Sequence, residues 1–205
     1  MRHQNNRNIN NLNKKAQRSL FITSYIPLFG LLILKQVSTN IEYLEWGGIS
    51  LTSVFIFVEK FGLSFILLMI TIWGIGGAKA TLTNLEKRIL NGFPIKITNI
   101  KERSSESINY IATYIMPFLF QSFDGWVDLV SIIIILLIIY RIYINSTLLL
   151  VNPILNLFYG FYEIEYEENG IINVGYIIIR NKLLVESDKI KIYPIGHKMF
   201  YAKEI

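Results

Sequence analysis

The sequence predicts an all-α membrane bundle: four transmembrane helices with both termini cytoplasmic, followed by a small C-terminal cytoplasmic β module. Three observations support this. The 205-residue chain is 52% apolar and only 17% charged, with a mean hydropathy of +0.42. Soluble domains carry about 25% charged residues. Four long stretches are almost free of Asp, Glu, Lys and Arg. The basic residues between those stretches alternate between dense and sparse. The same composition excludes intrinsic disorder, which needs few apolar residues. The absence of cysteine excludes disulfides, thiolate metal sites and a cysteine nucleophile. The two histidines, His3 and His197, lie near opposite ends and exclude a multi-histidine cage.

The first element is a basic cytoplasmic N-terminus, residues 1–18, with Arg2, Arg7, Lys14, Lys15 and Arg18 and no acid. The transmembrane domain follows over 19–144, with spans at 19–35, 55–78, 107–123 and 126–144. A membrane helix needs about 20 mostly apolar residues, and flanking Lys and Arg extend a short one by snorkelling. Trp46 to Val58 is apolar but too short to cross alone. It is expected to extend the second span outward rather than lie flat. The cytoplasmic loop 79–106 carries Lys79, Lys87, Arg88, Lys96, Lys101 and Arg103. With the N-terminus this makes eleven basic residues on one face, against Lys35 and Lys60 on the other. Basic residues resist translocation, so the dense face is cytoplasmic, and an even number of spans puts both ends there.

Pro27 and Pro117 fall mid-span and are expected to kink their helices. Gly74, Gly77 and Ala78 end the second span. The small-xxx-small spacing of Gly74 and Ala78 allows close helix approach, either between subunits or within one. Residues 145–160 form an apolar interfacial segment. From 161 to 205 the pattern becomes that of short strands. Tyr162, Ile164 and Tyr166 alternate with Glu163, Glu165 and Glu167, and Asn169-Gly170 marks a hairpin. Gly175 to Ile179, Leu183 to Val185 and Lys189 to Tyr193 read as further strands. About 45 residues are few for an independent domain, so the module is expected to pack on something else.

The basic loop has two compatible uses, attraction to anionic lipid and docking of a cytosolic protein. Lys96, Lys101 and Arg103, with Tyr162, Ile164 and Tyr166 of the module, are the candidate partner contacts. No Walker loop, HExxH or GxSxG is present, so the expectation is a non-enzyme without cofactor or metal. The lipid bilayer is an expected partner, and the nearly balanced charge of the module argues against direct nucleic-acid binding.

Five features then coincide: the basic amino end, Ile22 to Phe29 opening span one, Asn109 to Phe118 in span three, Asn152-Pro153, and the β tail from Phe161. Together they resemble the KwaA family, the membrane subunit of the bacterial Kiwa anti-phage defence system. The resemblance implies a multi-pass inner-membrane protein, N-in and C-in, that assembles as a homotetramer. It also implies a cytosolic DNA-binding partner, KwaB, to which the membrane subunit relays infection sensed at the envelope. The alternative from the residues alone is an oligomeric pore, with Pro27, Pro117 and the Gly74 to Ala78 segment as its gating elements.

Overall fold

A computed structural model describes residues 12–44, 48–103, 126–144, 152–168, 170–180, 189–196 and 198–205, with residues 109, 184 and 185 singly. The first helix, α1 (Lys14–Ser24), starts at Asn13, whose side chain accepts the Lys15 N–H at 3.3 Å. Its small polar residues satisfy themselves on their own helix. Thr23 Oγ1 donates to the Ser19 and Leu20 carbonyls, both at 2.8 Å, and Ser24 Oγ to Phe21 at 2.6 Å. The helix breaks at Tyr25 and resumes as α2 (Ile26–Thr39), bent by 51°. Pro27 sits at the break, where it lacks the N–H that would bond the carbonyl four residues back.

Ser50 caps α3 (Leu51–Arg88), accepting the Ser53 N–H at 3.0 Å. At 38 residues this helix is about 57 Å long, nearly twice the hydrocarbon thickness of a bilayer. Its buried residues, Phe61, Ser64, Leu67, Gly74, Ala78, Thr81 and Leu85, form one stripe at helical spacing. The rest of the apolar surface is bare: only 11% of its most apolar window is buried. Of the segment Trp46 to Val58, expected to extend the second span, the part from Leu51 onward is continuous helix with it. The fourth helix, α4 (Trp126–Ile144), exposes Ile133, Ile134, Leu137, Ile138 and Ile142. A short α5 (Pro153–Asn156) follows, capped by Asn152 with Pro153 at its first position.

The strands are β1 (Phe93–Glu102), β2 (Gly160–Glu168), β3 (Ile171–Ile179), β4 (Lys189–Gly196) and β5 (Met199–Glu204). They close into a barrel in the order β1-β2-β3-β5-β4, with β3 and β5 parallel and the other pairs antiparallel. The first half of β1 pairs with β4 and its second half with β2. Order and direction are those of a five-stranded Greek-key barrel of OB type. The tight hairpin between β2 and β3 uses Gly170 at φ 76°, a conformation that glycine adopts without cost. Ile95, Ile97, Ile164, Ile177, Ile179, Ile190 and Ile192 fill the interior. A five-stranded barrel is narrow enough for side chains to occupy it fully.

This architecture overturns the all-α four-span bundle. Among the described residues one helix, α3, is long and apolar enough to cross a membrane. The bent pair α1–α2 makes a second if it counts as one span, and the apolar run of α4, Ile133–Tyr143, is short. The third span, 107–123, and Pro117 lie outside the described residues, apart from Asn109. The expected loop 79–106 is instead the last three turns of α3 followed by β1. That strand escapes a period-two reading because a bulge between Ile97 and Asn99 shifts its apolar positions from 95 and 97 to 100. The C-terminal module is therefore incomplete on its own: it borrows β1 from ahead of α4. Leu184 and Val185, expected in a strand, lie outside one, and β5 takes the place next to β3.

Candidate functional site: the joint and the outer face of the barrel

The barrel is held on its side against the helices. Phe161, Ile178, Ile195, Met199 and Tyr201 on its outer surface pack with Leu20 of α1, Ala78, Leu85 and Ile89 at the end of α3, and Leu155 of α5. Leu12, just ahead of α1, is tied to the same place, because its N–H donates to the Ile195 carbonyl at 3.1 Å. The start of α1 and the carboxyl-terminal barrel thus lie on one side of the apolar helices.

Polar contacts fasten the end of α3 to three strands. The Arg180 guanidinium, just after β3, pairs with Glu86 at 3.5 Å. Arg88 donates to the Tyr193 hydroxyl of β4 at 3.5 Å, and Lys191 to the Leu90 carbonyl at 2.7 Å. Tyr201 of β5 donates to Glu86 and also bonds Tyr159. Burial, then Tyr159 and the Glu86 carboxylate, push the Tyr201 hydroxyl above the ordinary tyrosine value. Burial and Glu86 push Tyr159 the same way.

Asn152 closes the other side of the joint. It is fully buried. Its amide donates to the Leu20 carbonyl of α1 at 2.9 Å, while its oxygen accepts from the Ile154 and Leu155 N–H groups, both at 3.1 Å. One side chain therefore caps α5 and ties it to the segment ahead of the Tyr25 bend. Phe21 joins α4 to the same segment through edge contacts with Tyr140 and Tyr143 at 5.1 and 5.3 Å.

The residues singled out from sequence fall in three places. Gly74 and Gly77 lie under α1: a Cβ at either would press into Ile22 or Ser19, so both serve helix packing within the chain, with Ala78 buried beside them. Tyr162, Ile164 and Tyr166 point into the barrel and are 5%, 0% and 6% exposed, which leaves them no docking surface. The alternating glutamates carry the outer face of β2 instead. Burial, followed by the Glu102 charge, raises the Tyr162 hydroxyl too. Lys96 and Lys101 are exposed on β1, and Arg103 pairs with Glu163, its Nε 3.0 Å from the carboxylate.

The outer face of the barrel is electrically divided. Along β1–β2, Lys101 stands opposite Glu163, which also pairs with Arg103, and the neutral Asn99 stands opposite Glu165, so acidic and basic residues are mixed. Along β1–β4, Lys96 stands directly opposite Lys189, both exposed. Like charges facing each other across strands cost stability. Neither lysine makes an ion pair among the described residues. Sequence reasoning missed Lys189, Glu86, Tyr159 and Tyr201, since each gains its role from a partner distant in the chain. In the sequence Asn152 stands out only through the Asn152-Pro153 pair of the family resemblance; its cap and its bond to Leu20 need the packed structure.

The described residues thus present helices with a bare apolar girdle and a barrel firmly joined to them, and comparison with known proteins gives the biological class as anti-phage defence. Residues 16–201 match the family described as "Anti-phage protein KwaA", and the chain belongs to that family. It is similar to the Kiwa protein KwaA of Escherichia coli O55:H7 (strain RM12579 / EPEC), 30% identical over 98 residues, 48% of each chain. The chain thus spans about half the length of the curated relative it matches. No solved structure matches it.

Proposed function

We propose that this protein is a bacterial inner-membrane sensor and scaffold of an anti-phage complex. It detects infection at the envelope and relays it to a cytosolic DNA-binding effector resembling KwaB. The observation that carries this reading is the uncovered apolar girdle next to the barrel. Monomeric soluble proteins rarely leave patches above a few hundred Å² open, and here Phe65, Ile66, Leu68, Met69, Ile72 and Trp73 of α3 are all exposed. Lys60 and Lys79 bracket the charge-free part of α3, about 29 Å apart along the axis, close to the hydrocarbon thickness. The barrel, the start of α1 and the basic residues Lys14, Lys15, Arg18, Lys79, Lys87 and Arg88 then share the cytoplasmic side, and the protein acts through binding, without a catalytic step or cofactor.

The Lys96–Lys189 face supports docking of an acidic partner surface, since a cationic pair that makes no ion pair among the described residues gains most from one. A homotetramer would present four such faces. The test is co-purification in mild detergent with the product of the adjacent gene, with masses read by native mass spectrometry. The native chain should carry the partner, and Lys96→Glu with Lys189→Glu should reduce recovery at least tenfold. Equal recovery places docking elsewhere. A native oligomer that stays alone beside an abundant partner overturns the scaffold reading and favours the pore, which liposome conductance would then reveal. Truncation of 161–205 is a poor probe, because it strips β1 of both its neighbours.

A further inference from the structure

A groove of about 590 Å³ runs between α1, the flank of α3 and β4. Its size is that of a small-molecule site. Its wall changes character along its length. At one end Trp73, Gly76, Gly77 and Ala80 make an apolar channel inside or just at the level of Lys79. At the other, Lys15, Asn84, Arg88 and the Tyr193 hydroxyl make a polar one. Among the described residues no carboxylate lines it. Lys15 and Arg88 make no ion pair among the described residues.

The levels match a leaflet boundary. Ser19 packs on Gly77, so Lys15, one turn earlier on the antiparallel α1, lies just past Lys79 on the barrel side. Arg88 is nine residues beyond Lys79, about 14 Å along the axis. Side chains on a helix lean toward its N-terminus, which aims Arg88 back toward the membrane. Trp73 is six residues on the other side, about 9 Å into the apolar zone. The groove therefore joins the hydrocarbon to a cationic pocket without a break. Basic pockets on the cytoplasmic side of membrane helices suit acidic headgroups.

We infer that this groove binds one anionic glycerophospholipid of the cytoplasmic leaflet. Its phosphate lies between Lys15 and Arg88, its headgroup hydroxyls at Asn84 and Tyr193, and one acyl chain along Trp73, Gly76 and Ala80. The inference rests on the membrane reading above. A free phosphate ester shares the headgroup chemistry, but it leaves the apolar half of the groove unused, so the lipid is the better fit. A lipid in this position touches α1, α3 and the barrel at once and couples leaflet composition to the joint.

The full chain, with Trp46→Phe and Trp126→Phe so that Trp73 is the reporter, is placed in phosphatidylcholine nanodiscs. Brominated phosphatidylglycerol or brominated phosphatidylcholine is then titrated in. Trp73 should be half-quenched at a fraction of brominated phosphatidylglycerol at least threefold lower than that of the neutral lipid. Gly76→Leu should abolish the difference; a side chain at Gly76 meets nothing within 4 Å, so it fills the groove without a clash in the fold. Lys15→Gln with Arg88→Gln should abolish it too. Lys79→Gln removes a charge outside the groove and should leave it intact. Loss of preference with Lys79→Gln, or its survival in Gly76→Leu, overturns the site and leaves bulk charge attraction. Release by millimolar glycerol phosphate overturns a lipid in favour of a soluble ester. Quenching by neither brominated lipid overturns the membrane reading itself.

Discussion

Asn152 concentrates several bonds in one buried side chain, and its removal tests the joint most directly. Asn152→Ala leaves the Ile154 and Leu155 N–H groups without their acceptor, while the Leu20 carbonyl keeps its bond from Thr23 Oγ1. A lost helix cap costs about 1 kcal/mol, and up to about 3 kcal/mol where a buried N–H such as that of Leu155 finds no other acceptor. The expected outcome is a loss of about 1–3 kcal/mol, read as a lower midpoint of thermal unfolding in detergent. An unchanged midpoint would mean that water replaces the amide and that the joint is wetter than its packing shows. Tyr201 offers a second residue-level test, in pH. Its hydroxyl titrates above the ordinary tyrosine value because burial, Tyr159 and Glu86 oppose the phenolate. A group raised in the folded state contributes its full stability below the unfolded value, near pH 10, and loses it as pH rises further. Stability should be flat in this respect from pH 7 to 9 and fall above about pH 10. Tyr201→Phe should weaken that alkaline fall while sacrificing the bond to Glu86. Equal alkaline slopes in the two proteins would remove Tyr201 from the account.

At the scale of elements, the bend between α1 and α2 and the length of α3 decide what can move. The two arms of the bent pair are 11 and 14 residues long. Pro27→Ala restores the missing N–H and lets the helix run straight. Straightening 51° over arms of this length should move the outer ends apart by about 4 Å, measurable between spin labels at positions 14 and 39. An unchanged distance would show that packing of Tyr25, Leu28 and Phe29 on Leu67 and Ile139 imposes the bend without proline. The outer half of this contact is clasped by Gln36, whose side-chain oxygen accepts from the Ser64 N–H at 2.8 Å and from its hydroxyl. The apolar middle of α3 was legible, because it is one contiguous stretch of the chain without charges. The end of α3 was not. Lys79, Lys87 and Arg88 look like loop charges in a one-dimensional count, yet Thr81 and Leu85 between them, and Ile89 just after, continue the buried stripe.

For the whole molecule, the test is which surfaces face lipid and which face water. The chain has no cysteine, so single cysteines report without background. In spheroplasts, Leu51→Cys should react with a membrane-impermeant maleimide, and Phe65→Cys should be protected. Lys87→Cys should react only once the membrane is opened. Reaction at position 65 from either side would contradict a membrane position for α3, and reaction of Lys87→Cys in intact spheroplasts would invert the proposed orientation. Composition, the apolar runs, the β2–β3 hairpin signal and the family resemblance were all readable in the chain, because each is a property of one residue or of close neighbours. The barrel was not, because its closure joins β1 to β2 and β4 across more than sixty residues, and no local pattern names a strand's partner. The same holds for Tyr162, Ile164 and Tyr166. Alternation separates two faces of β2, but only closure of the sheet makes one of them an interior. Likewise the glycines of α3 announce a close approach, and only the packed structure shows that α1 of the same chain makes it.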